Sequence, residues 1–446
     1  MTTRLGPAVR GAVGLSIGFL AFFSVTGADS RWLGALGAEI LRDGHIPRGV
    51  PFASSPTGSW PNVTALSEIV FHGLLVVGPR ALLAAQLAAV VVALVVIARD
   101  ARAARAGDAA TALVLFVVVI GAFPAFGVIR VQLFSIALFP VLLSVIHADA
   151  RRQSRALWLA VPVLILWTNL HGAVLVGLFV FLAYLALERV RTTRLEAIAL
   201  AVAGVLACFV NPAFERTPRY FHGVLENEYA QRGVGLWAPL SFTPFDIVLA
   251  LAGICLLVFA VRARPRLWEL ATLAALTLLT IHASRSGVWL LLAAAPSAAL
   301  GLGEVREATA RLTRLALVAG LAACVFGLAH GPGSTGASTK LISQAIAEAH
   351  GTPILAADVL AEQVALRGGK IVIGNPIDAF THRDQAAYVD WLIGRPDGMV
   401  ELAQPRVVLV ERHSDAEKSV AHDPSFVRLA RDSQAELWVR RAKSTG

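Results

Sequence analysis

The sequence predicts a polytopic α-helical membrane protein of about eleven spans followed by a C-terminal extracytoplasmic α/β domain. Three observations carry this expectation. The chain of 446 residues is 56% hydrophobic and only 15% charged, with a mean hydropathy of +0.67, far from the roughly 25% charged of a soluble domain. Apolar runs long enough for a bilayer recur from the N-terminus to about residue 330. Beyond that point the apolar runs shorten and the charge rises. A cytosolic enzyme and a nucleic-acid-binding factor are excluded on these grounds.

A hydrocarbon core of ~30 Å needs ~20 apolar residues, with ~17 tolerated. The runs that meet or approach this are 8–26, 80–98, 111–128, 131–148, 156–169, 172–188, 196–211, 245–261, 267–282, 286–303 and 315–330. The segment 156–169 is short and is expected to tilt, thin the bilayer or break. Residues 8–26 end in the small residues Val25, Thr26, Gly27 and Ala28, as a cleaved signal would. The length of the run and the ten spans after it favour an uncleaved first helix.

Charge orients these spans. Arginine clusters follow them at Arg99, Arg102 and Arg105, at Arg151, Arg152 and Arg155, at Arg189, Arg191 and Arg194, at Arg262, Arg264 and Arg266, and at Arg306, Arg311 and Arg314; Arg4 and Arg10 precede or open the first. Positive-inside bias places them in the cytoplasm of a multi-pass inner (plasma) membrane protein, N-terminus included. One return crossing then fits between residues 27 and 98. So 62–78 is expected at the outer interface, 80–98 crosses, and the C-terminal domain faces outside. The net charge of +9 is an inner-loop signal that meets anionic headgroups, not a nucleic-acid footprint. Cys208, Cys255 and Cys324 lie in apolar runs, and an odd count gives no disulfide framework.

The expected organisation is a transmembrane module, 1–330, with a long first outer loop at 27–79, and a soluble extracytoplasmic domain, 331–446. A glycine-rich linker at 331–336 joins them. In the tail, Pro353–Ala356, Lys370–Ile373, Arg406–Val410 and Glu436–Val439 read as strands, and 358–367, 383–393 and 416–432 as helices.

Unusual polar residues collect at the outer ends of the spans. Asp29 follows the first. Arg130 and Gln132 separate the third and fourth, Asn169 and His171 the fifth and sixth, and His282 and Arg285 the ninth and tenth; Asn211 follows the seventh. Polar groups at membrane depth are costly and tend to mark function. Arginine forks suit phosphate oxygens, and a carboxylate can take the proton of an attacking hydroxyl. The set suits group transfer from a phosphate-linked, lipid-borne donor. Glu39, Asp43, Glu68, Asp358, Asp378 and Asp384 read instead as solvated or locally paired charges. No zinc-hydrolase or serine-hydrolase motif occurs.

These residues resemble a family. "GAEILRDGHIPRGVP" (37–51), followed by Phe52, Gly58, Trp60, Asn62 and Glu68, is similar to the first outer loop of bacterial GT-C-like membrane proteins, the glycosyltransferases that use polyprenyl-phosphate sugars. "RVQLFSIALF" (130–139), "LWTNLHGAVLVGL" (166–178), "NP" (211–212) with Trp237 and Pro239, and "IHASRSGVWLLLAAAP" (281–296) look like further segments of that family. The tail segments "GGKIVIGNPIDAF" (368–380) and "AELWVRR" (435–441) look like its outer domain. The resemblance covers nearly the whole chain. It implies a transferase that moves a sugar from a polyprenyl-phosphate donor to a glycan, lipid or protein acceptor on the outer face. Asp29 would be the catalytic acidic residue, acting as base. Trp60, Asn62, Arg130, Gln132, Asn169, His171, His282 and Arg285 would bind substrate. No organic cofactor or protein metal ligand set is expected, and a divalent metal is left open.

The chain departs from the pattern at Val50, where the family has Asp, at Ala65 in place of Trp, at Val131 in place of Pro, and at Ser284 and Ser286 around Arg285. Two other function classes therefore stay open: a non-catalytic scaffold that binds lipid-linked sugar, and a transporter. The transporter ranks last because no internal repeat is evident.

Overall fold

The computed structural model describes residues 5–58, 60–307, 309–395, 398 and 405–441. Arg4 of the orienting set lies outside them. The chain forms two compact units. One comprises 1–25, 77–211 and 233–333; the other comprises 26–76, 212–232 and 334–446.

The first unit is a helical bundle. It contains a helix at each of the eleven predicted positions: Pro7–Phe23, Pro79–Ala103, Asp108–Gly121, Leu133–Arg151, Ala160–Thr168, Val174–Leu187, Arg194–Ala207, Pro244–Arg262, Leu267–His282, Gly287–Leu302 and Ala310–His330. Five segments (79–103, 133–151, 244–262, 284–302 and 310–330) are long and apolar enough to cross a membrane, and several others are shorter apolar helices. The run 111–128 stops at Gly121 and restarts as the short helix Phe123–Gly127, whose Pro124 sits in the first turn, where a missing N–H costs nothing. The run 156–169 divides into a 3-10 turn, Arg155–Leu159, and the α-helix Ala160–Thr168.

Small residues set the closest approach in this unit. The Pro7–Phe23 and Ala310–His330 helices meet along Gly11, Gly14, Gly18, Gly320 and Gly327. A Cβ on Gly320 would collide with the Gly14 carbonyl, and one on Gly327 with Ala21. Where lipid removes the hydrophobic drive between helices, such close contact supplies the attraction. Aromatic edges fill the interior: Phe139 meets Trp167 at 6.2 Å and Trp289 at 5.6 Å between ring centroids.

The second unit is an α/β assembly of the tail with residues 26–76 and 212–232. Its sheet pairs Ile354–Ala356 in parallel with Val407–Glu411. That strand runs antiparallel to Ala435–Arg440, which pairs in turn with Phe426–Arg431. The predicted helix 416–432 is instead the helix Asp415–His422 and the strand Phe426–Arg431. Pro424 disfavours helix at Asp423, and the following residues pair with the last strand. The predicted strand 370–373 reduces to bridges from Ile371 to Ala53 and to Ile354, which tie the loop 26–76 to the sheet. The helix Thr339–Ala349, which the sequence reading did not include, packs Leu341, Ile342 and Ala345 inward from an Ser338 cap.

Within 26–76, the amphipathic helix Ser30–Asp43 buries Trp32, Leu33, Leu36 and Ile40, and leaves Glu39, Arg42 and Asp43 as an exposed ion-paired group. It ends at Gly44, whose φ of +68° is the left-handed cap that glycine adopts without strain. The segment 62–78 contains the helix Ala65–Val77, 13 residues long, short of the ~20 a crossing needs.

Candidate functional site

Asp29 caps the Ser30–Asp43 helix with φ +77°, a backbone region that costs a non-glycine residue of order 1–3 kcal/mol. Several contacts hold it there. Its backbone N–H donates to Glu362 Oε1 at 2.9 Å. Its Oδ1 accepts the indole N–H of Trp32 at 3.2 Å, and its carbonyl accepts the N–H of Leu33. Two residues on, Arg31 is buried and donates to the Thr335 carbonyl at 2.9 Å. A strained acid pinned from both sides is a fixed one.

Glu362 lies on the helix Asp358–Leu366 and is buried. It also accepts the Asn375 amide at 2.8 Å. Burial, and then the neighbouring Asp29 carboxylate, push its own carboxyl above the usual range. Trp60 donates its indole N–H to Asp378 at 2.8 Å, and burial raises the Asp378 carboxyl to about 6. Asn62 donates to Glu68 at 2.8 Å. Glu68 is fully buried and desolvation pushes it up to about 8, so it is held protonated at neutral pH. Tyr220, buried in the same unit, is pushed up by desolvation first and then by the field of Asp378, with Glu68 and Asp29 adding to it. The second unit thus gathers Asp29, Trp60 and Asn62 with two buried acids, Glu68 and Glu362, and the half-buried Asp378, which the resemblance does not supply as catalytic groups.

Two of those acids were not picked out in the sequence. Asp378 reads as an ordinary charge of a soluble domain, and Glu362 draws no notice. Glu362 does interrupt an otherwise apolar helical run, "VLAEQVAL", and Asp378 lies in the segment "GNPIDAF" that carries the family likeness. Asp358, also read as ordinary, is half-buried and accepts the Tyr229 hydroxyl at 2.9 Å; desolvation raises its carboxyl. Val50 is 2% exposed, and its N–H donates to the Thr57 hydroxyl. The position that carries Asp in the family is here a core site.

The first unit holds the rest of the predicted set. Arg130 and Gln132 immediately precede the Leu133–Arg151 helix. One turn in, Ser135 accepts the Trp167 indole N–H at 2.6 Å and lies 2.7 Å from His171 Nδ1. The backbone N–H of Ala173 also points at Nδ1, at 3.4 Å. Having accepted from Trp167, the Ser135 hydroxyl has its own hydrogen for Nδ1, an arrangement that suits a ring proton on Nε2. Asn169 donates to the carbonyls of Ile165 and Val210 at 2.8 and 2.7 Å, so its amide bridges two helix ends. Arg285 stacks its guanidinium 4.5 Å from the Trp237 ring centroid. His282 ends its helix exposed. Of this set, His171 is joined to the start of the Leu133–Arg151 helix and Arg285 to Trp237. Among the described residues, no group of three His, Cys, Asp or Glu side chains is placed to hold a metal ion.

The fold is thus a bundle of apolar helices with a separate α/β unit built from the tail and the segments 26–76 and 212–232. Two solved structures of ArnT from Cupriavidus metallidurans share this fold. The one bound to undecaprenyl phosphate is 16% identical, with a TM-score of 0.53 over 98% of this chain and 98% of that one. The apo structure is 15% identical, with a TM-score of 0.52 over 96% of each. No family model and no curated protein matches the sequence.

Proposed function

We propose that the protein is a GT-C-like membrane glycosyltransferase. It moves a sugar from a polyprenyl-phosphate donor to an acceptor hydroxyl on the outer face of the membrane. The observation that carries this reading is the strained backbone of Asp29, held by Glu362 in a cluster of buried acids. Support comes from the shared fold with ArnT, one of whose structures holds undecaprenyl phosphate.

In this reading Asp29 accepts the proton of the acceptor hydroxyl as that oxygen bonds to the anomeric carbon. The bond from that carbon to the phosphate oxygen breaks with inversion, and polyprenyl phosphate leaves with the electron pair. Arg130 and Arg285 offer charge to the phosphate oxygens. His171 offers a ring N–H donor. The arginine-bearing helix ends face the cytoplasm of the plasma membrane and the tail faces outside. Reporter fusions after residues 105, 155, 194, 266 and 314 are expected to report inside, and after 340 outside. Vesicles holding the purified chain and a polyprenyl-phosphate sugar are expected to release polyprenyl phosphate when an acceptor is added. Absence of release across a panel of sugars would count against the transferase.

A second reading, a scaffold that binds lipid-linked sugar without turning it over, is favoured by one observation: Val50 is buried core where the family carries Asp. Full complementation of a deletion strain by Asp29→Ala would select it.

A further inference from the structure

Six phenylalanine rings form an unbroken ribbon across four helices of the helical unit. Phe326 of Ala310–His330 stacks on Phe22 of Pro7–Phe23 at 5.2 Å between centroids. Phe22 meets Phe23 at 6.5 Å, and Phe23 meets Phe19 at 4.9 Å. Phe19 meets Phe123 at 5.5 Å, and Phe123 stacks on Phe245 of Pro244–Arg262 at 6.4 Å. Five of the six rings are 44–61% exposed, and Phe123 is half-buried. Among the described residues this unit has seven exposed phenylalanines, so their exposure is concentrated here rather than spread around the bundle.

The rings stand at the helix ends opposite Arg10, Arg262 and Arg311. Pro244–Arg262 and Ala310–His330 are the least buried of the five crossing candidates, so this face is open to lipid. Membrane proteins mark the headgroup level with Trp and Tyr, whose polar edge stays wet. A ribbon of phenylalanine alone has no such edge and suits hydrocarbon. It also passes from helix to helix across the bundle, whereas an acyl chain of the leaflet runs along the helices.

The Phe123–Phe245 end is tied by short chain segments to both arginines offered to the donor phosphate. Phe123 opens the helix Phe123–Gly127, which leads through Val128–Ile129 to Arg130. Gln86, fully buried, fastens that helix by donating to the Phe126 carbonyl at 2.8 Å. The loop before Phe245 is laced to the segment that carries Arg285. Leu240 N–H donates to the Ile281 carbonyl and Ser284 N–H to the Ala238 carbonyl, both at 3.1 Å.

Charge at one end and an apolar track leading away suit a phosphate carried on a long hydrocarbon chain. We propose that the ribbon seats the isoprenoid tail of a polyprenyl phosphate, with the phosphate at the Arg130 and Arg285 end. In the transferase reading, on which this rests, that lipid is the donor's carrier. A chain of many isoprene units is longer than one leaflet, about half of the ~30 Å core, and has to turn across the bundle. Its double bonds polarise the allylic C–H groups, which the negative faces of the rings attract. Saturated diacyl tails offer neither property.

The test is photolabelling of the full chain in phosphatidylethanolamine and phosphatidylglycerol vesicles by a polyprenyl phosphate that carries a diazirine in its tail. Labelled peptides are expected from the Pro7–Phe23, Phe123–Gly127, Pro244–Arg262 and Ala310–His330 helices. Unlabelled polyprenyl phosphate should compete, and phosphatidic acid, with the same headgroup on acyl tails, should not. The triple variant Phe19→Leu, Phe22→Leu, Phe23→Leu keeps the surface apolar and should keep the unfolding temperature. It should raise the probe concentration for half-maximal labelling about tenfold, the combined size of the lost aromatic contacts. Phe179→Leu, at an exposed phenylalanine on another helix, should not. Competed labelling on other helices, or unchanged labelling of the folded triple variant, would overturn the seat and leave the transferase reading standing. Equal competition by phosphatidic acid would assign the ribbon to bulk lipid, and loss of a wild-type dimer in the triple variant would assign it to a second copy; either overturns the proposal. No labelling that polyprenyl phosphate competes would strike the transferase reading and the seat together.

Discussion

The backbone N–H of Asp29 donates to Glu362 Oε1 at 2.9 Å, joining residues 333 positions apart. The tail helix therefore holds the residue that precedes the Ser30–Asp43 helix. Glu362 accepts Asn375 through the same oxygen, so its truncation leaves two donors unmet. Glu362→Ala is expected to destabilise this unit by about 1–3 kcal/mol and to abolish turnover. Glu362→Gln, which keeps the accepting oxygen, should retain both stability and activity. Thermal unfolding and donor turnover of the two variants separate these outcomes.

Glu68 makes the second unit sensitive to base. Its carboxyl ionises near 4.5 in an unfolded chain but at about 8 when buried beside Asn62. The folded state therefore binds the extra proton between those values. That contribution is full below the unfolded value and is lost as pH rises through about 8. The unfolding temperature should fall from pH 6 to pH 9. Glu68→Gln, which mimics the protonated acid, should flatten that slope, as melting curves across the pH range will show.

Much of this architecture is legible in the sequence. Helices stand at all eleven predicted positions because an apolar run in lipid must satisfy its backbone hydrogen bonds within itself. The tail was harder. Its helix 416–432 resolved into helix and strand because Pro424 interrupts it and because strand pairing is a long-range contact that local pattern does not reveal. Asp29 was legible as an unusual polar residue, and Trp60 and Asn62 only through the family resemblance. Their partners Asp378 and Glu362 were not, since a buried acid and a solvated one look alike until the fold removes the water. Val50 shows the converse, a motif position whose role in this chain is packing.

Ser135 organises the polar end of the helical unit by accepting Trp167 and meeting His171. Ser135→Ala should leave the buried indole N–H unsatisfied, at about 1–3 kcal/mol, and free the imidazole to change tautomer. A lower unfolding temperature, with a shift in the His171 ring nitrogen resonances, would register both effects.

Gly320 tests the glycine-lined helix contact. A methyl group there meets the Gly14 carbonyl, so Gly320→Ala should destabilise by about 1–3 kcal/mol, and Gly320→Leu should prevent a folded chain from being purified. Gly73→Ala, at an open position with nothing near its missing Cβ, should be silent. Detergent-resistance melting curves compare the three.

The most direct measurement is donor turnover by Asp29→Asn, assayed beside the wild-type chain with a polyprenyl-phosphate sugar and acceptor in vesicles. The substitution keeps the backbone bond to Glu362 and an oxygen for Trp32, but removes the base. Loss of at least about a hundredfold in polyprenyl phosphate release, the usual contribution of a general base, with an unchanged unfolding temperature is the predicted result. Wild-type release by a folded Asp29→Asn protein would contradict the assignment of Asp29 as the base.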